Sequence, residues 1–390
     1  MSRPRGCAIF AKRMSKDRFD IIIVGAGIAG ASVAAFLAER GARDVLLLER
    51  EAQPAYHSTG RSAAALVELN RHPVWRRLIT LGAQFLRRPP AWLADEPPVD
   101  LVGVVIPARG AAWAELQQLE PRLRAEGIAT RLLPPAAVCA LVPALDRGAL
   151  DGALLLPENG HLDVHALLQG YLRRLTRAGG EVRCDTEVGE VLKEHGRCVG
   201  VGTRGGALRA RWVVNAAGAW AGVLGRLAGA APIAFQPRRR TIVTFTPPGD
   251  HDVRRWPMVD SETHKAYFKH ESGGLLLSPM DETPSPPCDA RPADEDVARA
   301  VEKLGRLASA LVPQALRRKW AGLRTFTADE LPVVGADPLV PGFFWLAGQG
   351  GSGIETSPVL GALAADLLLD GQSAHEAAAA LAPSRFVTPS

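Results

Sequence analysis

Short apolar runs separated by glycines and polar residues are the main pattern of this chain, and the clearest one begins at residue 20. Residues 20–24 form an apolar, β-branched run that is typical of a buried parallel strand. Residues 31–40 have the composition of a helix, and residues 45–48 form a second buried strand. The stretch 21–38 carries no charge, so a hydropathy window would take it for a membrane span. Its internal glycines and its early cluster of β-branched residues indicate a strand that turns into a helix.

Three glycines in this stretch have the spacing of a dinucleotide-binding motif. Gly25 permits a tight turn, Gly27 lets the backbone approach a pyrophosphate, and Gly30 lets helix and strand pack closely. The free N–H groups and the dipole at the helix N-terminus favour phosphate. Glu49 ends the second strand, where it can accept hydrogen bonds from ribose hydroxyls. The alternative, a glycine-rich turn without a ligand, does not account for the complete order of strand, helix, strand and acid.

Three further segments are rich in small residues that let another molecule approach the backbone. Residues 56–64 form a loop after the second strand, and such a loop can run beside a large planar ring. Residues 212–220 are predicted as a buried strand that ends in small residues. Residues 343–347 form another strand, and the glycine-rich passage 348–354 leads from it to an apolar helix over 357–369. Such a passage aims backbone N–H groups at an electron-rich group.

These segments resemble the FAD-binding segments of the D-amino-acid oxidase superfamily, which includes glycine and sarcosine oxidases. Residues 49–64, 236–240, 321–324 and 349–354 are especially similar to bacterial D-arginine dehydrogenase, and the resemblance runs from about residue 18 to the C-terminus. It implies FAD as cofactor, bound non-covalently, since no cysteine falls in the C-terminal flavin segment and His57 is expected to pack locally. The residues expected to bind FAD are Gly25, Gly27, Ala29, Gly30, Glu49, Arg50, Ser58, Thr59, Gly60, Arg61, Ser62, Ala63, Ala64, Ala65, Val188, Ala217, Gly218, Gly350, Gly351, Ser352, Gly353 and Ile354.

The resemblance implies an α/β fold in which a Rossmann-type FAD-binding domain is interleaved with an α+β substrate domain built on an antiparallel sheet. The expected FAD-binding domain comprises 17–95, 150–232 and 325–385, the expected substrate domain comprises 96–149 and 233–324, and residues 1–16 are expected to be a disordered leader. Within these domains the sequence predicts helices over 161–176 and 294–311 and antiparallel strands at 241–245, 265–269 and 274–277.

The implied chemistry is oxidation of a D-amino acid at the carbon that bears nitrogen, by hydride transfer to flavin N5. The imino acid formed would hydrolyse to a 2-oxo acid and ammonia. An arginine suits the substrate carboxylate because its planar fork makes two parallel, charge-assisted hydrogen bonds. Arg324 matches the family's substrate arginine, and Arg240 is the second candidate. Tyr267 matches a family tyrosine whose hydroxyl contacts the substrate carboxylate.

Each of these candidates also has a purely structural interpretation. Residues 238–240 are three arginines in a predicted strand, where Arg238 and Arg240 share one face and Arg239 points away. Such a run is also typical of a solvated basic edge that discourages strand pairing. Tyr267 is equally typical of an aromatic side chain that fills the core.

The sequence departs from its relatives beside the substrate. Ala65 and Asn70 stand where D-arginine dehydrogenases place a histidine and a tyrosine, so those two groups cannot serve amine deprotonation or lid closure here. Asp95 or Glu96 could meet a cationic side chain, and Asp95 falls where the relatives carry an acid. An acidic surface loop is the alternative for Asp95. Two other functions therefore stay open: oxidation of a glycine- or sarcosine-type secondary amine or a 2-hydroxy acid, and a non-catalytic FAD-binding subunit.

Composition limits the remaining possibilities. The 390 residues are 47% apolar and 22% charged, which is the balance of a globular protein. A net charge of +5, from 46 basic and 41 acidic residues, is too small to indicate a nucleic-acid partner. Five scattered cysteines without a CxxC pair favour neither a disulfide frame nor a metal site, and indicate a reducing compartment. We therefore expect a cytoplasmic protein without a transmembrane segment, whose partners are a small amino acid or amine and an oxygen or quinone-type electron acceptor; its oligomeric state is open.

Overall fold

The computed structural model describes residues 16–387, so the expected leader lies outside the described residues except for Lys16. The strands, in chain order, are β1 (Arg18–Val24), β2 (Val45–Leu48), β3 (Ala65–Leu66), β4 (Val99–Asp100), β5 (Val104–Ala108), β6 (Arg131–Leu133), β7 (Gly152–Leu156), β8 (Gly160–Leu162), β9 (Glu181–Arg183), β10 (Val188–Glu194), β11 (Arg197–Thr203), β12 (Gly206–Asn215), β13 (Gln236–Phe245), β14 (Met258–Ser261), β15 (Ala266–Glu271), β16 (Gly274–Ser278), β17 (Thr283–Pro284), β18 (Arg318–Phe326), β19 (Val333–Ala336) and β20 (Phe343–Ala347). The α-helices are α1 (Ile28–Glu39), α2 (Pro73–Arg87), α3 (Ala111–Ala125), α4 (Pro135–Leu141), α5 (Val164–Arg177), α6 (Ala221–Ala228), α7 (Asp294–Leu307), α8 (Ser357–Asp370) and α9 (Ala378–Leu381). Short 3₁₀ helices span Arg147–Ala149, Gly218–Trp220, Val253–Arg255, Ser309–Leu311 and Pro383–Phe386.

The first sheet is the centre of a three-layer region. Its parallel strands lie in the order β20–β12–β1–β2–β9, and the antiparallel hairpin β10–β11 pairs with the first part of β12. Successive side chains point to opposite faces of the sheet, and helices cover both faces, so apolar residues are buried on each side. Ile21 and Ile23 pack with Leu363 of α8 on one face, whereas Ile22 packs with Leu224 of α6 on the other. Because these strands are parallel, the carboxyl ends of β1, β2 and β12 meet at one edge.

The second sheet is mainly antiparallel, with the order β18–β13–β16–β15–β14–β5–β7–β6 and with β17 beside β13. Val243 and Phe268 face α7 on one side of it. Ile242 and Tyr267 face the other side, where α3 covers one end of the sheet. The predicted architecture, a Rossmann-type parallel sheet interleaved with an antiparallel one, is confirmed.

Local expectations were wrong at three points. Strand β7 pairs with β5 and β6, so the second sheet continues beyond the expected boundary at residue 150 to Leu156. Residues 160–162 form β8, which lies between β3 and β4 in a small third sheet, and the predicted helix over 161–176 begins only at Val164. Asp163 sets that start, since its carboxylate accepts from the N–H of Ala166 at 2.8 Å. The helix predicted over 294–311 ends at Leu307.

Within residues 16–387, no helix is long and apolar enough to cross a membrane.

Candidate active site

A cavity of about 460 Å³ is lined by residues of both large sheets. The ends of β1 and β2 contribute Val24 and Leu48, and Ala216 follows β12 at the same edge. From the second sheet come Ile242 and Tyr267, on the face that α7 does not cover. The cavity thus lies where the carboxyl edge of the parallel sheet meets one face of the antiparallel sheet.

The glycine turn after β1 leaves no space for side chains. Gly25 has a φ of 107°, and its N–H donates to the carbonyl of Leu48 at 2.8 Å. A Cβ added to Gly25 would lie 2.5 Å from the carbonyl oxygen of Ala216. A Cβ added to Gly30 would lie 2.0 Å from the carbonyl oxygen of Gly25. Gly30 therefore acts through the packing of α1 on the turn and does not line the cavity.

The start of α1 provides the features of a phosphate site. The first N–H groups of a helix have no partner within the helix, and the dipole there favours an anion. The N–H of Ile28 donates to Thr59 Oγ1 at 3.0 Å, which fixes the loop after β2 against this helix end. Glu49 is buried at the end of β2, and its Oε2 accepts from the N–H of Ala26 at 3.0 Å. Its carboxylate is thereby held at the cavity wall.

The loop over residues 56–64 joins the two sheets. Ser58 Oγ donates to the carbonyl of Leu323 in β18 at 2.7 Å. Arg61 Nη1 donates to the carbonyl of Ala321 in the same strand at 3.2 Å, and Trp320 Nε1 donates to the carbonyl of Arg61 at 3.2 Å. The guanidinium of Arg61 therefore anchors the loop to the second sheet.

Aromatic and charged side chains close the cavity beside this loop. The guanidinium of Arg50 lies 4.0 Å from the centre of the Trp220 ring, a cation–π contact. His57 Nε2 lies 2.8 Å from Glu51 Oε1, and this hydrogen bond lowers the pKa of Glu51. None of the cysteines in the described part of the chain lines the cavity.

The glycine passage after β20 positions one of the predicted arginines. The N–H of Gly350 donates to the carbonyl of Thr325 at 2.9 Å, which ties the passage to β18. A Cβ added to Gly351 would lie 2.7 Å from Nη1 of Arg324. The absence of a side chain at residue 351 thus leaves room for the guanidinium of Arg324 in the cavity.

Arg240, Arg324 and Tyr267, the predicted substrate residues, lie near one another and line the cavity. Arg240 is 5% exposed, and its Nη2 donates to Glu282 Oε1 at 2.7 Å. Its Nε and Nη1, and the hydroxyl of Tyr267, are buried without a hydrogen-bond partner in the described structure. Burial and then the charge of Arg324 lower the pKa of Arg240 to about 10, so Arg240 stays charged at neutral pH. Unpartnered buried donors are costly, and here they face a cavity that can hold an acceptor.

The structure brings together most of the residues predicted for the site. Of the predicted FAD-binding residues, those that line the cavity are Gly25, Gly27, Ala29, Glu49, Arg50, Ser58, Thr59, Arg61, Ser62, Ala63, Ala64, Ala65, Val188, Ala217, Gly218, Gly350, Gly351, Ser352, Gly353 and Ile354. Gly60 lies outside the lining, in a turn where a Cβ would be 2.4 Å from the carbonyl oxygen of Ala55.

Strand β13 has neighbouring strands on both sides, so the arginine run over residues 238–240 is not a basic edge of the sheet. Asn70 turns away, with its side-chain oxygen accepting from the N–H of His72 at 2.9 Å.

Asp95 is not brought to the site. It is exposed in the segment after α2 and does not line the cavity. The motif match at this position depended on the alignment of a loop, whose path the residue types do not determine.

Three acids that line the cavity were missed by the sequence analysis: the exposed Glu187, and Glu355 and Asp260. Glu355 is buried, and its Oε2 accepts from the N–H of Val67 at 3.1 Å. Burial raises the pKa of Glu355 to about 8, so it holds a proton at neutral pH. Asp260 lies on β14 directly opposite Tyr267 on β15. The one available signal for Asp260 was its alternation with the apolar Val259, in a strand too short to stand out.

Comparison with known proteins agrees with this geometry. Residues 20–367 match the family described as DAO, FAD dependent oxidoreductase. The chain is 27% identical to FAD-dependent oxidoreductase domain-containing protein 1 of Bos taurus, over 91% of this chain and 82% of the relative. It is 26% identical to glycine oxidase of Geobacillus kaustophilus, over 93% of this chain and 96% of the relative.

A solved structure shows the same fold. L-proline dehydrogenase from P. horikoshii superposes with a TM-score of 0.84, covering 95% of this chain and 98% of its own, at 23% identity. At that identity the likeness establishes the architecture alone. The glycine turn, the helix end and the fixed carboxylate of Glu49 are the features that fit the FAD of this family.

Proposed function

Because this chain belongs to the DAO family of FAD-dependent oxidoreductases, we propose that it oxidises the carbon–nitrogen bond of an α-amino acid. The substrate loses two electrons and two protons, and the resulting imino acid hydrolyses to a 2-oxo acid and ammonia. The relative from Geobacillus kaustophilus, a glycine oxidase, supports an amino acid or amine as the substrate class.

One observation carries the proposal: buried donors without partners lie near one another on residues that line the cavity. Arg240 leaves two guanidinium nitrogens unpaired there, and the hydroxyl of Tyr267 is unpaired as well. Arg324 also lines the cavity, near enough to Arg240 for its charge to act on that side chain. A carboxylate in the cavity would give an acceptor to the hydroxyl of Tyr267 and to one of the unpaired nitrogens of Arg240, and the planar guanidinium would fix its orientation.

The protein's part in the reaction is to hold the reactants. Bound FAD supplies the acceptor for the two electrons. Arg240, Tyr267 and Arg324 hold the substrate carboxylate, which fixes the neighbouring α-carbon and its amine. The N–H groups at the start of α1 and the carboxylate of Glu49 hold the cofactor. We further propose that FAD is bound non-covalently, since no described cysteine lines the cavity and His57 is engaged by Glu51.

The D configuration and a side-chain preference like that of D-arginine dehydrogenase are part of the proposal. Secondary amines and 2-hydroxy acids remain the alternative substrates, because both carry a carboxylate for the same donors. A non-catalytic FAD-binding subunit is the alternative of another class. The carboxylate donors argue against it, since such a subunit would have no use for them.

The test is anaerobic reduction of the bound cofactor. The holoprotein is mixed with D- and L-amino acids, sarcosine and 2-hydroxy acids, and the visible absorption of oxidised flavin is followed. We expect one or more D-amino acids to abolish that absorption. Reduction by a 2-hydroxy acid or sarcosine alone would favour the second function, and a flavin that no compound reduces would favour the non-catalytic subunit.

A further inference from the structure

Asp260 places a carboxylate in the cavity that no predicted role accounts for. It lies on β14 and faces the cavity together with Met258, two residues before it on the same face. Tyr267 is its direct neighbour on β15. Asp260 is half-buried, which is an unfavourable place for a charge that has no partner.

No described residue pairs with this carboxylate. The side-chain carboxylate of Asp260 takes part in no hydrogen bond and in no ion pair within 4 Å in residues 16–387, although both Arg240 and Arg324 are near enough to stabilise its charge. β13 and β14 are three strand spacings apart, so roughly 14 Å separates the backbones that carry Arg240 and Asp260. Tyr267 on β15 lies between these two backbones and is next to Asp260.

Part of the cavity wall is apolar. Ile242, Met258 and Met280 line it, and none of them offers a strong hydrogen-bond partner. Such a wall suits a chain of methylene groups, and methionine side chains adapt to flexible chains. The cavity therefore combines carboxylate donors, an apolar part of its wall and an acid without a partner among the described residues.

We propose that Asp260 binds a cationic group at the end of the substrate's side chain, which makes the preferred substrate an α-amino acid with an unbranched basic side chain. This inference rests on the proposed function, because the carboxylate clamp sets the direction in which the side chain runs. An ammonium or guanidinium would pair with Asp260 as its methylene groups cover Met258 and Met280. Asp260 thereby takes the part that the sequence assigned to Asp95, which is exposed outside the cavity.

The test compares a basic with an apolar side chain. kcat/KM is measured with an artificial dye for both enantiomers of arginine and of norleucine, in the wild-type holoprotein and in Asp260→Asn. We expect the value for arginine to fall about 30-fold or more, since removing one partner of a buried charge pair is costly. The value for norleucine should stay nearly unchanged, so the preference for arginine collapses.

Two matched acids serve as controls. Asp95→Asn removes the acid that the sequence suggested, and Glu262→Gln removes the next acid along the chain, which pairs with Arg71 and Lys265 outside the cavity. Each of these two variants should change the ratio of kcat/KM for arginine to kcat/KM for norleucine by no more than about twofold. The inference would be overturned if Asp260→Asn left the ratio of kcat/KM for arginine to that for norleucine unchanged, with or without an equal loss for both substrates. It would also be overturned if Asp95→Asn abolished the preference for arginine.

A binding measurement separates this inference from the proposed function. Arginine is titrated into the oxidised holoprotein, and the perturbation of the flavin spectrum is recorded. If arginine binds, binds more weakly to Asp260→Asn, but never reduces the flavin, then the proposed oxidation fails and the role of Asp260 stands. If arginine does not bind to the wild-type protein, the role of Asp260 fails even when another amino acid reduces the flavin.

Discussion

At the carboxyl edge of the parallel sheet, the site is made of backbone: glycines that admit no Cβ, helix N–H groups and one fixed acid. On the facing side of the antiparallel sheet, it is made of side chains, with Arg240, Tyr267 and Asp260 projecting from three different strands. We call the first part the backbone half of the site and the second part the side-chain half. The backbone half tolerates little change at Gly25 or Gly30, because a Cβ added at either residue would collide with main-chain atoms. The side-chain half can change residue by residue while the sheet stays intact.

This difference explains how one fold can keep a cofactor and vary its substrate. Main-chain groups recognise what is common to every dinucleotide, its phosphates and its extended shape. Side chains on a regular sheet can be exchanged without moving their neighbours, so they determine which substrate fits. The two halves should therefore respond differently to substitution.

The largest effect is expected from Gly30→Ala. The new Cβ would lie 2.0 Å from the carbonyl oxygen of Gly25, so the turn beneath the cofactor must move. We expect the purified protein to lose most of its FAD and to unfold at a lower temperature. The ratio of flavin to protein and the Tm are the measurements.

Gly189→Ala is the matched control, because a Cβ at residue 189 meets nothing within 4 Å. It should retain FAD at the wild-type ratio. A Gly30→Ala protein that carries a full complement of FAD at the wild-type Tm would contradict a backbone-built cofactor site.

A smaller and more selective effect is expected from Arg240→Met. This change removes one arm of the carboxylate clamp and leaves the glycine turn untouched, so FAD should stay bound. We expect kcat/KM for the best amino acid to fall about 100-fold, as for loss of one partner of a buried charged pair. Arg240→Lys should recover part of that loss, since it restores the charge but not the planar fork.

Arg238→Met is the control for the arginine run. Arg238 belongs to the same strand, but its guanidinium lies 4.4 Å from the centre of the Phe326 ring and pairs with Glu330 at 3.0 Å, outside the cavity. Its loss should change kcat/KM by about twofold or less. Equal losses in the two variants would mean that the run acts through general charge and not through a clamp.

The sequence allowed the backbone half to be predicted well. A strand, three spaced glycines, a helix and an acid form one continuous segment, so the local order of residues already contains the site. The second sheet was predicted strand by strand, but its boundary at β7 was missed because an apolar five-residue run suits either sheet.

The side-chain half was predicted only where a residue matched a family position. Arg240, Tyr267 and Arg324, which line the cavity, were named in this way, whereas Asp260 was missed and Asp95 lies outside the cavity. Asp260 and Arg240 are twenty residues apart in the chain, on strands separated by β16 and β15. Their relation is set by sheet order, which no local pattern contains.

The smallest expected effect is a pH dependence confined to substrate selectivity. Burial, and secondly the charge of Glu262, raise the pKa of Asp260 to about 6, while Arg240, Arg324 and Lys265 oppose that rise. Asp260 is therefore ionised above this pH and protonated below it, so the preference for arginine over norleucine should decline as the pH falls through about 6. Asp260→Asn should show a flat ratio across the same range.

The same ionisation predicts a change in stability that needs no substrate. An acid whose pKa is higher in the folded than in the unfolded state stabilises the fold at low pH, and that contribution is lost as the pH rises through the folded pKa. Asp260→Asn removes the unfavourable charge, so its Tm should exceed that of the wild-type holoprotein at pH 8 by more than it does at pH 5. A difference in Tm that is the same at both pH values would mean that Asp260 already has a partner, and that the side-chain half of the site is complete without a cation.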